Sequence, residues 1–230
     1  MLTYFVNLQN RPIKETNDIL DFDWSLAEEG FVNKSLWPKN DYKPDTRFYL
    51  LYDKDNLFGL LLTKGEHELN PRAETKDFQG AVHKDSCLEF FFSYEPDNPA
   101  YANLELNSHP TLHFGIGKGR ENRVKPSADE LRDIKIHKMD SDRLVKGISF
   151  AYDWGIAFKI PAKLLNSLWN KYDLANDVLD EHFYSGQVMK ANFYKCGDLT
   201  AEEHYLAWNE VDTDRPDFHK PEFFANLEFQ

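Results

Sequence analysis

Residues 82–107, VHKDSCLEFFFSYEPDNPAYANLELN, decide the fold of this chain. Apolar and polar residues alternate in the first half, where Leu88, Phe90, Phe92 and Tyr94 share one face, and residues 101–107 alternate in the same way. The intervening segment 95–99, EPDNP, is rich in turn-forming residues. Alternation with a period of two on both sides of a turn predicts two paired strands, with one apolar face that packs against a core.

The opposite face of this hairpin combines polar and aromatic side chains: Glu89, Phe91, Tyr101, Asn103, Glu105 and Asn107. Carboxylates and amides exchange hydrogen bonds with sugar hydroxyls, and aromatic rings stack on the apolar face of a sugar ring. This face is therefore a candidate saccharide-binding surface. The alternative interpretation is the solvated outer face of an antiparallel sheet.

The rest of the chain shows further short strands with a similar pattern. Segments 47–52 and 57–63 flank a turn, and more strands are expected at 112–116, 134–137, 145–151, 154–160, 188–195, 204–208 and 223–229. Segment 57–63, LFGLLLT, is almost wholly apolar, which indicates a central strand covered on both sides. Pro161 begins a short predicted helix, and residues 1–40 are expected to form an irregular N-terminal wrap with one short strand.

Roughly ten short strands with one or two short helices predict an all-β fold. The expected architecture is a two-sheet antiparallel β-sandwich of the jelly-roll or immunoglobulin-like type. The 230 residues suffice for one core, so residues 1–230 are expected to form a single domain.

Composition and charge narrow the choice of partners. The net charge of -12 argues against binding to nucleic acid or to anionic membranes. No apolar run approaches the roughly 20 residues that span a bilayer, and the N-terminus lacks the features of a signal peptide. The expected location is cytoplasmic, or extracellular if a leader has been removed.

Cys87 and Cys196 are expected to be small buried thiols, and a disulfide between them stays open.

Three blocks of sequence carry a family resemblance. The first is DSCLEFF at 85–91, followed by Tyr101, Asn103, Glu105 and Asn107. The second is an aromatic strand at 154–161 that ends in Ile-Pro, and the third is ANFYKCGD at 191–198, followed by His204, Trp208 and PDFHKPEFF at 216–224. In this order, over about residues 45–230, the blocks resemble family 9-like carbohydrate-binding modules, which belong to the DOMON-like group of β-sandwiches.

The resemblance implies saccharide binding between aromatic and polar side chains, a part in polysaccharide or oligosaccharide catabolism, and structural calcium in some members. By position, Glu89 would accept hydroxyls and Trp208 would form one stacking wall, although core packing is the alternative for Trp208. Characterised members have a second tryptophan where this chain has His83, so His83, Phe78 or Trp37 would form the opposite wall. The predicted carbohydrate-binding residues are Glu89, Trp208, Asn107, Glu105, His83, Tyr101 and Asn192.

Two other classes of function stay open. Glu89 and Glu105 on neighbouring strands could act as the carboxylate pair of a glycoside hydrolase. A haem carrier of the DOMON-like type would need an axial methionine, for which Met189 is the candidate.

Calcium ligands cannot be named, because no EF-hand-type loop is present. The glycines of GIGKG at 115–119 lack the strand–glycine–helix context of a phosphate loop and indicate a hairpin turn.

Overall fold

The computed structural model of the chain describes residues 2–9, 19, 22–177 and 179–230. Within this part of the chain it has one α-helix, α1 (Ala162–Lys171), and thirteen strands. In chain order the strands are β1 (Thr3–Leu8), β2 (Gly30–Phe31), β3 (Lys34–Ser35), β4 (Asp45–Tyr52), β5 (Asn56–Lys64), β6 (Cys87–Ser93), β7 (Ala100–Asn107), β8 (Leu112–Lys118), β9 (Lys135–Asp140), β10 (Trp154–Pro161), β11 (Val188–Gly197), β12 (His204–Ala207) and β13 (Ala225–Phe229). The predicted all-β class is confirmed.

The strands form one continuous, curled sheet. Its order is β8-β7-β6-β11-β13-β1-β4-β5-β10-β9, with β12 pairing with β11 and β3, and β2 pairing with β4. Strand β1 joins the two halves of the sheet and runs parallel to both of its neighbours, whereas the other strand pairs are antiparallel. The sheet is therefore mainly antiparallel. It differs from the predicted two-sheet antiparallel arrangement at β1, whose two parallel pairs join both halves into one sheet.

The N-terminal segment differs from the predicted irregular wrap. Residues Thr3–Leu8 form a strand in the middle of the sheet, where Tyr4 and Val6 are buried. The Tyr4 hydroxyl donates a hydrogen bond to the carbonyl of Glu28 and accepts one from the amide of Leu50. The alternation of β1 is only one strand long and has no hairpin partner next to it in sequence, so the pattern did not reveal it. Residues 1, 10–18, 20 and 21 of the predicted wrap lie outside the described residues.

The main core receives side chains from both halves of the curled sheet. Phe48 of β4 stacks on Phe193 of β11 with 3.7 Å between the ring centroids, and Phe90 of β6 stacks on the same Phe193 at 4.6 Å. Helix α1 begins directly after Pro161, as expected, and buries Leu165 and Trp169 in this core. Burial of each such large apolar side chain stabilises the fold by roughly 1.5–3 kcal/mol.

Two local predictions have opposite outcomes. Strand β5 lies between β4 and β10 and contributes to apolar clusters on both of its faces, so its central position is confirmed. The strand expected at 145–151 is wrong, because this segment forms turns and irregular backbone outside the sheet. Gly147 has a φ of +87°, and a Cβ atom there would lie 2.1 Å from the backbone nitrogen of Ser25. The left-handed backbone of Gly147 and its close contact with Ser25 are incompatible with a strand.

Candidate functional site

The polar and aromatic face predicted for the hairpin forms one surface across β6, β7 and β8. In the β6–β7 pair, Glu89 lies opposite Glu105 and Phe91 lies opposite Asn103. In the β7–β8 pair, Asn103 faces Gly115. Because side chains on one face of a sheet recur every second residue, these residues project to the same side. The opposite face, with Leu88, Phe90 and Phe92, lies in the main core as expected.

This surface is covered rather than open, which corrects the expectation of an exposed face. Residues 209–224, here called the covering segment, fold over it. Phe218 of the covering segment stacks on Tyr194 with 4.0 Å between ring centroids, and the His219 ring lies 5.0 Å from that of Phe91. Glu89 and Glu105 are consequently only 2% and 5% exposed. Side chains from distant parts of the chain therefore enclose the polar face.

A cavity of about 440 Å³ remains between the sheet and the covering segment. Its aromatic lining comes from Trp37, Phe91, Tyr205 and Phe218. The remaining lining is polar or charged, apart from a few small residues: His83, Glu89, Asn103, Glu105, His113, Gly115, Arg120, Arg123, Lys125, Cys196, Asp198, Pro216, Asp217 and His219. The cavity thus offers apolar ring faces and hydrogen-bonding groups to the same ligand.

Trp37 is held firmly at the wall of the cavity. Its indole N–H donates a hydrogen bond of 2.6 Å to the carbonyl of Thr213 in the covering segment. Its ring lies 5.8 Å from Phe218 and 5.9 Å from Tyr205 between centroids. Trp37 also has a φ of 46°, a left-handed conformation that is uncommon for a bulky residue. Strained backbone of this kind is concentrated at functional sites.

Arg123 organises the floor of the cavity beside β7 and β8. Its guanidinium donates hydrogen bonds to the carbonyl oxygens of Tyr101, Gly115, Gly117 and Gly119, at distances from 2.8 to 3.3 Å. The same group satisfies carbonyls on two strands and on the turn after β8. A buried guanidinium with this many acceptors fixes the shape of the cavity.

A chain of hydrogen bonds leads from Arg123 to Glu105. The Nε of Arg123 donates to Asn103 Oδ1 at 2.9 Å, and Asn103 Nδ2 donates to Glu105 Oε1 at 2.7 Å. This chain fixes the orientation of the Asn103 amide and leaves part of the Glu105 carboxylate for a ligand.

The pKa of the buried Glu89 carboxyl group is shifted by its surroundings. Burial raises the pKa of Glu89 well above its ordinary value, and the neighbouring Cys196 and Glu105 raise it further. The carboxyl group accepts one short contact, from the Cys196 thiol to Oε1 at 2.9 Å. A protonated Glu89 can donate as well as accept a hydrogen bond.

Charged pairs surround the mouth of the cavity. Arg120 Nη1 lies 3.0 Å from Asp217 Oδ1, and His83 Nε2 lies 4.0 Å from Asp198 Oδ2. Burial raises the pKa of Asp198, while His83 opposes that shift. The predicted residue His83 therefore lines the cavity, together with Glu89 and Glu105.

Comparison with known families agrees with this geometry. A family model described as carbohydrate-binding family 9 matches residues 16–229. The chain belongs to carbohydrate-binding family 9.

Solved structures with the same fold include members of family 9. A candidate carbohydrate-binding protein from Bacteroides uniformis ATCC 8492 has a TM-score of 0.76 and 24% identity, with 99% of each chain covered. A family 9 module from Caldicellulosiruptor kristjanssonii, solved with glucose, has a TM-score of 0.61 and 10% identity, and covers 100% of this chain and 96% of its own. A family 9 module from the same organism, solved with cellotriose, has a TM-score of 0.59 and 9% identity, with coverages of 100% and 94%. No curated protein matches the chain.

Four predicted residues of this family 9 chain do not line the cavity: Trp208, Asn107, Asn192 and Tyr101. Trp208 packs in the main core against Phe48, with 5.3 Å between ring centroids. It lies on the same side of the chain as Leu206, also in the core, whereas Tyr205 faces the cavity. Asn107 Nδ2 donates to Asp85 Oδ2 and to the carbonyl of Thr75, and Asn192 Nδ2 donates to the carbonyl of Asn209. Because Trp208 lies in the core, it does not form the stacking wall that was expected of it.

The other candidate walls and ligands also have definite positions. Tyr101 is fully buried beneath Arg123, and its hydroxyl lies 2.9 Å from His219 Nδ1, so it supports the cavity without lining it. Phe78 is 43% exposed and does not line the cavity, whereas Trp37 does. Met189 is fully buried in the main core, away from the cavity, which does not fit an axial haem ligand.

Several lining residues were missed by sequence reasoning, above all Arg123, Tyr205 and Phe218. A usable signal for Arg123 was the pair of glycines in β8. A Cβ atom on Gly115 would lie 3.3 Å from Arg123 Nε, so the glycine makes room for the guanidinium. Glycine within a strand often marks the close approach of another group.

Cys87 and Cys196 are both buried and free, as expected of small buried thiols.

Among the described residues, no helix is both long enough and apolar enough to cross a membrane.

Proposed function

We propose that this chain binds a saccharide in the cavity beneath the covering segment. The observation that carries the proposal is the enclosure of aromatic rings and fixed polar groups in one cavity of about 440 Å³. Ligand pockets of about 300–1,000 Å³ with few, well-placed polar groups are typical of small-molecule sites. Membership of carbohydrate-binding family 9, and fold relatives solved with glucose and cellotriose, support the choice of a sugar.

The chemistry of the lining suggests how the sugar would be held. Trp37 and Phe218, whose ring centroids are 5.8 Å apart, would together form one aromatic wall that packs on an apolar face of the sugar ring. Glu105 and Asn103 would bind hydroxyls as acceptor and donor, with orientations set by Arg123. His83 and Asp198 at the mouth would contact hydroxyls farther from the floor.

We further propose that the chain acts as a non-catalytic component of polysaccharide or oligosaccharide breakdown, and that it works by presenting or retaining the sugar. Arg120, Arg123 and Lys125 balance Glu105, Asp198 and Asp217 around the cavity, which suits a neutral sugar.

Isothermal titration calorimetry tests the proposal directly. The protein would be titrated with glucose, cellotriose and a panel of other neutral mono- and oligosaccharides. Saturable heat with at least one sugar is expected, and binding should be lost when Phe218 and Trp37 are both replaced by Ala. Absence of heat with every sugar at millimolar concentration, from protein shown to be folded by circular dichroism, would overturn it.

A hydrolase is the second candidate, because Glu89 has a raised pKa and lies opposite Glu105. Glycoside hydrolysis uses a pair of carboxyl groups, one of which acts as a general acid with a raised pKa. Turnover of aryl glycosides that disappears in Glu89→Gln would support this reaction. Sugar binding without turnover would remove it and leave the binding function intact.

A further inference from the structure

Cys87, Cys196 and Glu89 form a compact cluster at the floor of the cavity. Cys87 and Cys196 lie directly opposite each other in the β6–β11 pair, and Glu89 is two residues from Cys87 on the same face. Their sulfur and oxygen atoms all lie within 4.8 Å of one another. Within the part of the chain that the structure describes, no other group of three or more His, Cys, Asp or Glu side chains meets this criterion.

The contacts of Glu89 are unusual for a buried carboxyl group. Glu68, which is equally buried, accepts hydrogen bonds from Ser86 and Trp154 and forms an ion pair with Lys195. Among the residues that the structure describes, Glu89 has a single hydrogen-bond contact, from the Cys196 thiol, which is a weak donor, and no cation pairs with it. A buried carboxyl group without a strong donor or a cation keeps oxygen lone pairs that are free to coordinate a metal ion.

The spacing and the donor atoms suit a tetrahedral metal ion. Zinc binds thiolate sulfur at about 2.3 Å and carboxylate oxygen at about 2.0–2.2 Å, which sets ligand atoms roughly 3.3–3.8 Å apart. The observed ligand atoms lie within 4.8 Å of one another, with 2.9 Å between Cys196 Sγ and Glu89 Oε1, so the distances in the cluster are of the same size as this spacing. We propose that Cys87, Glu89 and Cys196 bind a zinc-type divalent metal ion. Calcium does not fit, because it takes oxygen ligands.

Access to the cluster determines the kind of metal site. Glu89 and Cys196 line the cavity, while Cys87 is fully buried behind them. Three protein ligands leave one tetrahedral position, and this position faces the cavity. Sites of this type keep a water molecule or a ligand in the fourth position, unlike closed structural sites with four protein ligands. On binding, the ion displaces the protons of both thiols and the proton of the Glu89 carboxyl group, and these protons are released to solvent.

The proposal is independent of saccharide binding and is tested by cobalt substitution. Metal-free protein, reduced with a phosphine, would be titrated with Co²⁺ and then with Zn²⁺. One equivalent of Co²⁺ should produce thiolate-to-cobalt charge-transfer absorption in the near ultraviolet, and Zn²⁺ should abolish it. Only coordination by cysteine sulfur gives this band, so surface carboxylates cannot imitate it.

Variants locate the site. Cys196→Ser and Cys87→Ser should each remove most of the charge-transfer band, and Glu89→Gln should weaken Zn²⁺ binding at least tenfold. His182→Gln is the matched control, because the exposed His182 and Asp55, 2.9 Å apart, are the kind of surface pair that binds metal adventitiously. The control should retain the band and the affinity.

Three outcomes would overturn the proposal. The first is the absence of a charge-transfer band in folded wild-type protein. The second is a band of unchanged intensity in both cysteine variants. The third is a protein isolated without reductant that has no free thiols after unfolding, because its sulfurs would then form a disulfide instead of metal ligands. Circular dichroism of each variant verifies that it is folded.

Discussion

Arg123 lies over the ring of Tyr101, with 4.0 Å between the guanidinium carbon and the ring centroid. The same guanidinium donates a hydrogen bond of 2.8 Å to the carbonyl of Tyr101. Arg123 therefore binds both the ring and the backbone of one residue of β7, while it also holds the turn after β8 through Gly119. Arginine alone can make both contacts, because its planar guanidinium stacks on an aromatic ring while its N–H groups donate hydrogen bonds.

Replacement of Arg123 should affect both folding and sugar binding. Arg123→Lys keeps the charge but cannot reach the four carbonyls and Asn103 together, so buried acceptors lose their donors. We expect a loss of about 2 kcal/mol in the free energy of unfolding and at least tenfold weaker sugar binding. Urea unfolding and calorimetry measure these effects. Arg132→Lys, at an exposed position outside the cavity, is the control; equal behaviour of the two variants would contradict the role of Arg123.

Gly115→Ala tests whether the cavity depends on the glycine in β8. The added Cβ would lie 2.6 Å from Asn103 Oδ1, and this amide is held by Arg123 and Glu105. We expect about 1–3 kcal/mol of destabilisation and several-fold weaker sugar binding. Gly186→Ala is the control, since Gly186 has a φ of +88° and open space around it, so only backbone strain results. Sugar binding should be normal in the control; normal binding in Gly115→Ala would contradict the prediction.

The two faces of the central hairpin were predictable because alternation is a local property. Leu88 and Phe90 face the core, and Glu89 and Phe91 face the cavity, as the period of two requires. In the strand predicted at 204–208, Trp208 lies on the same side as Leu206, and both are in the core. Which side of that strand is internal depends on distant segments, so parity alone could not assign Trp208 to the core.

The enclosure of the site could not be predicted, because it depends on contacts between residues far apart in sequence. Phe218 stacks on Tyr194, and Trp37 donates to Thr213 across most of the chain. The covering segment has no strand or helix periodicity that would reveal its position. Composition likewise gave no indication that a carboxyl group as buried as Glu89 would occur.

Trp37 and Trp208 provide a paired test of the two tryptophan positions. Trp37→Ala removes a wall of the cavity, and we expect at least tenfold weaker sugar binding with a modest loss of stability. Trp208→Phe removes volume from the core, so we expect about 1–3 kcal/mol of destabilisation and near-normal sugar affinity of the folded protein. Tyr184→Ala, at an aromatic residue that is 51% exposed outside the cavity, is the control. Weaker sugar binding in Trp208→Phe than in Trp37→Ala would contradict these assignments.

The buried Glu68 should make stability depend on pH in the acidic range. Burial acts to raise the pKa of Glu68, but Lys195 and the hydrogen bonds from Ser86 and Trp154 outweigh it and lower the pKa from 4.5 to about 2. The ionised form therefore contributes stability that is fully present above pH 4.5 and is lost as the pH falls towards 2, up to about 3 kcal/mol. Urea unfolding at several pH values should show a smaller pH dependence for Glu68→Gln than for the wild type. Lys195 lacks its counterion in this variant at every pH, so the pH dependence, not the absolute stability, is the readout.

Glu74→Gln, at an exposed carboxylate, is the control. The same pH dependence in the wild type and in Glu68→Gln would show that Glu68 is not the titrating group.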